Sequence, residues 1–142
     1  MRRLEWLALL AACGQPQDAP RQHATHTLDK LTGAAGWTAD YDATGDRWSF
    51  VSATGTVHVE RAPAGAVASP DAFVHAVTKG TIETRQSIND GFALTVLGPS
   101  GDRQAHAVRH VGTEWLRCAG DVLPDVVAVC ASLKLRADAR SR

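Results

Sequence analysis

The chain has 142 residues, 44% of them apolar, with four tryptophans, six histidines and three cysteines. That is enough for one domain with a real core, too short for two ordinary ones, and unlike the composition of a disordered chain. Lysine plus arginine and aspartate plus glutamate balance at 15 each, so no basic field attracts nucleic acid and no acidic run mimics it, and no nucleic-acid partner is expected.

The first residues, Met1-Arg2-Arg3 followed by an apolar run through Leu9 and Leu10, have the layout of a signal peptide over residues 1–12. Leu10-Ala11-Ala12-Cys13 resembles the bacterial lipobox, in which small residues let the chain enter a narrow peptidase site and the cysteine takes the lipid. Cys13 is therefore the expected lipidation site, with the membrane as a partner through that lipid. In the enterobacterial sorting rule Gly14 directs such a protein to the outer membrane, with its domain facing the periplasm. Glu5 interrupts the apolar run; the alternative is a short amphipathic helix packed on the domain, with Cys13 a buried thiol. Residues 13–27 carry no apolar periodicity and read as a flexible tether.

From Leu28 the domain alternates strand and turn signals, and it is expected to span residues 28–137, with 138–142 a disordered tail. Trp37, Ala39 and Tyr41 share one face of a period-two segment that ends at Asp42-Ala43-Thr44-Gly45-Asp46. Trp48, Phe50 and Ser52 line the next segment, then Val57 and Val59 the third, opposite Thr56, His58 and Glu60. These make a three-stranded antiparallel meander with one wet face. Ser69 as N-cap, Pro70 and Asp71 open a helix carrying Phe73, Val74, Ala76 and Val77, which Gly80 is placed to end. Strands over 81–87, 92–97, 103–111 and 114–118 follow, with Asp90-Gly91 as a hairpin signal between the first two. Pro124-Asp125 opens a last helix with Val126, Val127, Val129, Cys130 and Leu133 at helical spacing. The fold class is α+β: a three-stranded meander, a helix, a four-stranded antiparallel segment and a C-terminal helix.

With Cys13 acylated, Cys118 and Cys130 remain as an even pair. They read either as a disulfide stapling the last strand to the last helix, which contributes roughly 3 kcal/mol for a loop of about a dozen residues, or as two buried thiols. No Cys-x-x-Cys occurs, so a redox or zinc role is not indicated.

Gly36-Trp37, the hairpin, a helix after a Pro-containing linker, four antiparallel strands and a closing helix ending in Ser132-Leu133-Lys134 resemble the PsbP-like family, which includes the DcrB-type bacterial lipoproteins. The resemblance runs over residues 28–136 by element order. It implies an adaptor or binding protein, and it extends to lipid-anchored immunity proteins that neutralise type VI secretion effectors in the periplasm.

Candidate chemistry is sparse. Asp40 to Asp46 imitates the start of a calcium loop, but Val51 stands where an EF-hand needs its glutamate, so a turn is expected. His106 and His110, four apart, fall on one side of a strand or helix; as lone histidines on half-exposed strands they read as solvated, and no metal is expected. Ser69, Ser87, Ser100 and Ser132 sit at caps, turns or a helix without a nucleophile motif. Asp121 and Asp125 flank a helix start, where capping explains them. Any of Trp37, Trp48 or Trp115 left exposed is a candidate binding residue. The expectation is a lipid-anchored periplasmic binding protein without catalysis or cofactor. Its protein partner is a toxin, as for an immunity protein, or another envelope protein. The alternatives are a DcrB-like housekeeping lipoprotein and a small metal-dependent enzyme built from His106, His110 and nearby acids.

Overall fold

The apolar alternation from Leu28 onward folds into nine strands and two helices in the computed structural model, which describes residues 27–136. The expected signal segment, Cys13, nearly all of the tether and the tail lie outside the described residues. A 3-10 turn (Leu28–Lys30) leads into β1 (Leu31–Thr32). Then come β2 (Thr38–Asp42), β3 (Arg47–Ser52), β4 (Gly55–Arg61) and α1 (Pro70–Val77). β5 (Thr81–Ile88), β6 (Gly91–Leu97), β7 (Arg103–Val111), β8 (Glu114–Gly120), α2 (Leu123–Ser132) and β9 (Lys134–Leu135) complete the chain.

The meander and the four-stranded segment are one antiparallel sheet in the order β2-β3-β4-β8-β7-β6-β5. The join is β4 against β8, with Val59 opposite Cys118 and Glu60 opposite Arg117. The two helices take opposite faces. α2 covers Phe50, Val57, Val59, Ala93, Ala105, Ala107, Leu116 and Cys118 with Val126, Val129, Cys130 and Leu133. Alanines on the central strands let it come close. α1 covers only the β5-β6-β7 end of the other face, where Phe73 packs on Leu94, Val96 and Val108. Strands β6 and β7 are thus buried on both sides. β2, β3 and β4 are buried on one.

Local chemistry accounts for the helix ends. Ser69 Oγ accepts from the Ala72 N–H at 3.1 Å, the expected cap. The helix stops at Val77, short of Gly80, when the Thr78 N–H closes on the Val74 carbonyl at 3.1 Å. α2 begins without a side-chain cap. Asp125 instead accepts from Thr54 Oγ1 at 2.7 Å, pinning the β3–β4 turn, so the expected capping by Asp121 and Asp125 is replaced by a tertiary contact and a rim position described below.

Cys118 on β8 and Cys130 on α2 lie at disulfide distance, with Cα atoms 5.9 Å apart and both side chains fully buried. Replacing both by alanine is expected to lower unfolding free energy by about 2–3 kcal/mol in urea melts. A thiol reagent is expected to leave both unlabelled in the native and the unfolded chain alike, and to label them only after a reductant is added to the unfolded chain.

The hairpin turn is Asn89-Asp90, with Asp90 at φ 63° taking the left-handed conformation. Gly91 serves another purpose. It opposes Arg109 on β7, and a Cβ there would lie 1.8 Å from the Val108 carbonyl oxygen. Gly91→Ala is expected to destabilise by about 1–3 kcal/mol through forced separation of β6 and β7, seen as faster amide exchange along that ladder.

The chain ends are tied together. β1 pairs with β9, Leu31 opposite Leu135, and the Arg136 N–H donates to the Lys30 carbonyl at 2.9 Å. The Leu28 N–H donates to Asp46 Oδ1 at 2.7 Å, and Trp48 Nε1–H donates to the Leu28 carbonyl at 2.6 Å. Burial works against the Asp46 carboxylate, but hydrogen bonds from Tyr41, Leu28 and Arg61 outweigh it and hold its pKa below the usual value. The Ala34 N–H donates to Ser132 Oγ at 2.7 Å, which gives the serine of Ser132-Leu133-Lys134 a structural role.

Candidate functional site

The ladder register decides which side chains look outward where α1 gives no cover. β2 to β3 pairing places Thr38, Asp40 and Asp42 beside Val51, Ser49 and Arg47, and β3 to β4 pairing adds His58 opposite Ser49. Glu60 continues the row along β4 and meets Arg117 of β8. All lie on the face opposite α2, because alternate residues point the same way. This half-face is a plane of mixed charge on rigid strands, with Val51 its large exposed apolar residue.

Where the plane meets the α1-covered half, a cavity of about 200 Å3 opens, lined by His58, Gln104, His106, Arg117, Ala119, Gly120 and Asp121. His106 is 1% exposed, contrary to the expectation of a solvated histidine. Its ring centroid lies 5.0 Å from that of Phe73, and its Nε2 is 3.3 Å from Gln104 Oε1. Among the described residues its Nδ1 is buried without a partner. Burial, reinforced by the positive charge of Arg117, pushes its pKa down to about 4, so the ring is neutral near neutral pH. Arg117 donates through NH1 to Glu60 at 3.0 Å and stands 5.8 Å from the Phe73 ring centroid, while among the described residues its buried Nε has no partner. Arg47 NH2 and Ser49 Oγ both lie near His58 Nδ1, at 3.2 and 3.0 Å.

The structure separates the two histidines that the sequence grouped. They share a face of β7, but four residues along a strand is about 13 Å, and His110 stacks beside Trp115 with centroids 4.9 Å apart. Among the described residues no group of three metal-ligating side chains converges. Asp42 accepts from the Thr44 N–H at 3.0 Å, and Asp46 is held by Tyr41, Leu28 and Arg61, so that segment is a turn. Trp37 and Trp48 pack against the α2-side core; Trp115 is 37% exposed. Among the described residues no helix is long and apolar enough to cross a membrane.

Sequence reading passed over Arg117 and Gln104 altogether. The available signal was Ala105-His106-Ala107-Val108: four successive residues that belong in a core place His106 inside whichever face it points to.

No protein-family model, curated protein or solved structure matches this chain, so the PsbP-like resemblance rests on element order, the Gly36-Trp37 opening and the Ser132-Leu133-Lys134 ending.

Proposed function

We propose that this protein is a lipid-anchored envelope protein that works by binding another protein, without catalysis, through the half of its sheet that α1 leaves bare. One observation carries the reading: Thr38, Asp40, Arg47, Ser49, His58 and Glu60 form a continuous outward-facing plane fixed by ladder hydrogen bonds. Such a surface is preorganised, so little side-chain and backbone entropy is lost on association. It carries both signs of charge, which suits the mixed surface of a protein better than a polyanion. The Cys118–Cys130 pair at disulfide distance supports an oxidising compartment. Cys13, with small residues before it and a polar stretch after it, supports attachment through lipid.

The narrower form is an immunity protein that occupies a toxin acting in the periplasm. Two experiments test the reading. Palmitate label is expected on the wild-type chain and not on Cys13→Ala; label on both, or on neither, removes the anchor. A strain lacking the gene is expected to become sensitive to effectors delivered by its sister strains, and complementation with an Asp40→Lys, Arg47→Glu double variant is expected not to restore resistance. If deletion never sensitises the cells, the immunity form goes. If the double variant restores full resistance, the bare face is not the binding surface.

A further inference from the structure

The pocket beside the bare plane has its own chemistry. A guanidinium only donates, so the contact between Arg47 and His58 requires a lone pair on His58 Nδ1 and puts the ring proton on Nε2. Among the described residues that N–H has no protein partner. Gln104 uses its amide oxygen toward His106 Nε2, which leaves its amide N–H groups available. Arg117 uses NH1 on Glu60, its Nε is buried, and its side chain, 22% exposed, meets the cavity through the rest of the guanidinium. Donors from β4, β7 and β8 therefore line one small cavity.

At about 200 Å3 the cavity is smaller than the roughly 300–1,000 Å3 of sites for drug-sized ligands. It suits a group the size of one side chain. A planar guanidinium beside further donors matches a carboxylate. Glu60 already offsets the Arg117 charge, and Asp121 stands at the rim, so a doubly charged anion such as phosphate meets two nearby negative charges. One carboxylate is the best fit.

We infer that the His58–Gln104–Arg117 pocket receives the carboxylate of a single aspartate or glutamate side chain presented by the docked protein. This rests on the docking reading above and adds the chemistry of its anchor point. The anchor sits at the boundary between the bare plane and α1, where a side chain can be desolvated while its backbone lies over β4.

The test uses the full chain and N-acetyl-L-glutamic acid α-amide, which carries a side-chain carboxylate and no α-carboxylate. Its addition near neutral pH is expected to shift the His58 and His106 ring resonances with saturation at millimolar concentrations. The neutral glutamine analogue is expected to leave them unmoved. Arg117→Gln is expected to abolish the response. Asp121→Asn changes an exposed residue and should not disturb folding; it is expected to tighten binding several-fold by removing a like charge. No saturable shift, an equal response to the glutamine analogue, or unchanged affinity in Asp121→Asn overturns the inference. Acetate or succinate binding as tightly as the glutamate probe overturns the side-chain assignment and points to a free carboxylic acid. These readouts need no partner, so their failure is distinct from that of the docking reading, which the Asp40→Lys, Arg47→Glu variant addresses separately.

Discussion

Arg109→Met is expected to lower unfolding free energy by about 3–4 kcal/mol, the largest loss of any single substitution considered. A helix leaves its last carbonyls short of intrahelical partners, and at the end of α2 Cys130 and Leu133 are buried against the sheet. Arg109 NH1 reaches across from β7 and donates to the Cys130, Ala131 and Leu133 carbonyls at 2.8, 3.1 and 2.8 Å. A cation there also meets the negative end of the helix dipole. Methionine keeps the aliphatic packing but removes all three bonds; the Cys130 carbonyl keeps only its 3.3 Å bond from the Leu133 N–H, the exposed Ala131 carbonyl turns to water, and the buried Leu133 carbonyl loses its donor. Arg109→Lys restores a charge and a donor on a stem without the planar fork, so about half the loss is expected to return. Urea midpoints for the three proteins, with slopes compared to check that the unfolded state is unchanged, measure this directly. Equal stability of wild type and Arg109→Met would refute the account.

Acidification is expected to remove about 3 kcal/mol of stability between about pH 6.5 and pH 4 through His106 alone. The folded pKa of about 4 lies below the ordinary 6.5, so within that window the unfolded chain binds a proton that the folded chain refuses. Stability is therefore full above about pH 6.5, declines as the pH falls, and levels off below the folded pKa. The causes are burial against Phe73 and the neighbouring guanidinium of Arg117. Asp46, whose pKa the fold lowers, adds its own loss of stability only at the acid end of this interval and below it. His106→Leu is expected to flatten the unfolding free energy across the window while leaving the decline at lower pH in place. A wild-type curve with no slope between about pH 6.5 and 4.5 would show that the ring takes up its proton in the folded state.

What the sequence made legible was whatever one segment decides for itself. Period-two alternation marked the strands, and Ser69-Pro70-Asp71 marked α1, because caps and pleats act over a few residues. Long-range choices were not written locally. The pairing of β4 with β8 joins residues nearly sixty positions apart, such as Val59 and Cys118, and nothing within either strand names its partner. β1 and β9 are two residues each and too short for a periodic signal. Gly91 was read through its conformation, but its role is clearance from the Val108 carbonyl, which depends on a neighbouring strand. The site suffered most: His106 alone seemed an ordinary surface residue, and it becomes informative only once Arg117 and Gln104 are brought beside it.

The tying of Lys30 to Arg136 has a practical consequence for display. Both ends leave the domain side by side, with Leu28 held by Asp46 and Trp48 among the residues beneath α2. Whatever is attached before residue 27 or after residue 136 emerges from one pole, and the bare half-sheet is turned away from the α2 side. A reporter fused after residue 136 would therefore share space with whatever precedes residue 27, on the α2 side, and leave the bare half-sheet clear.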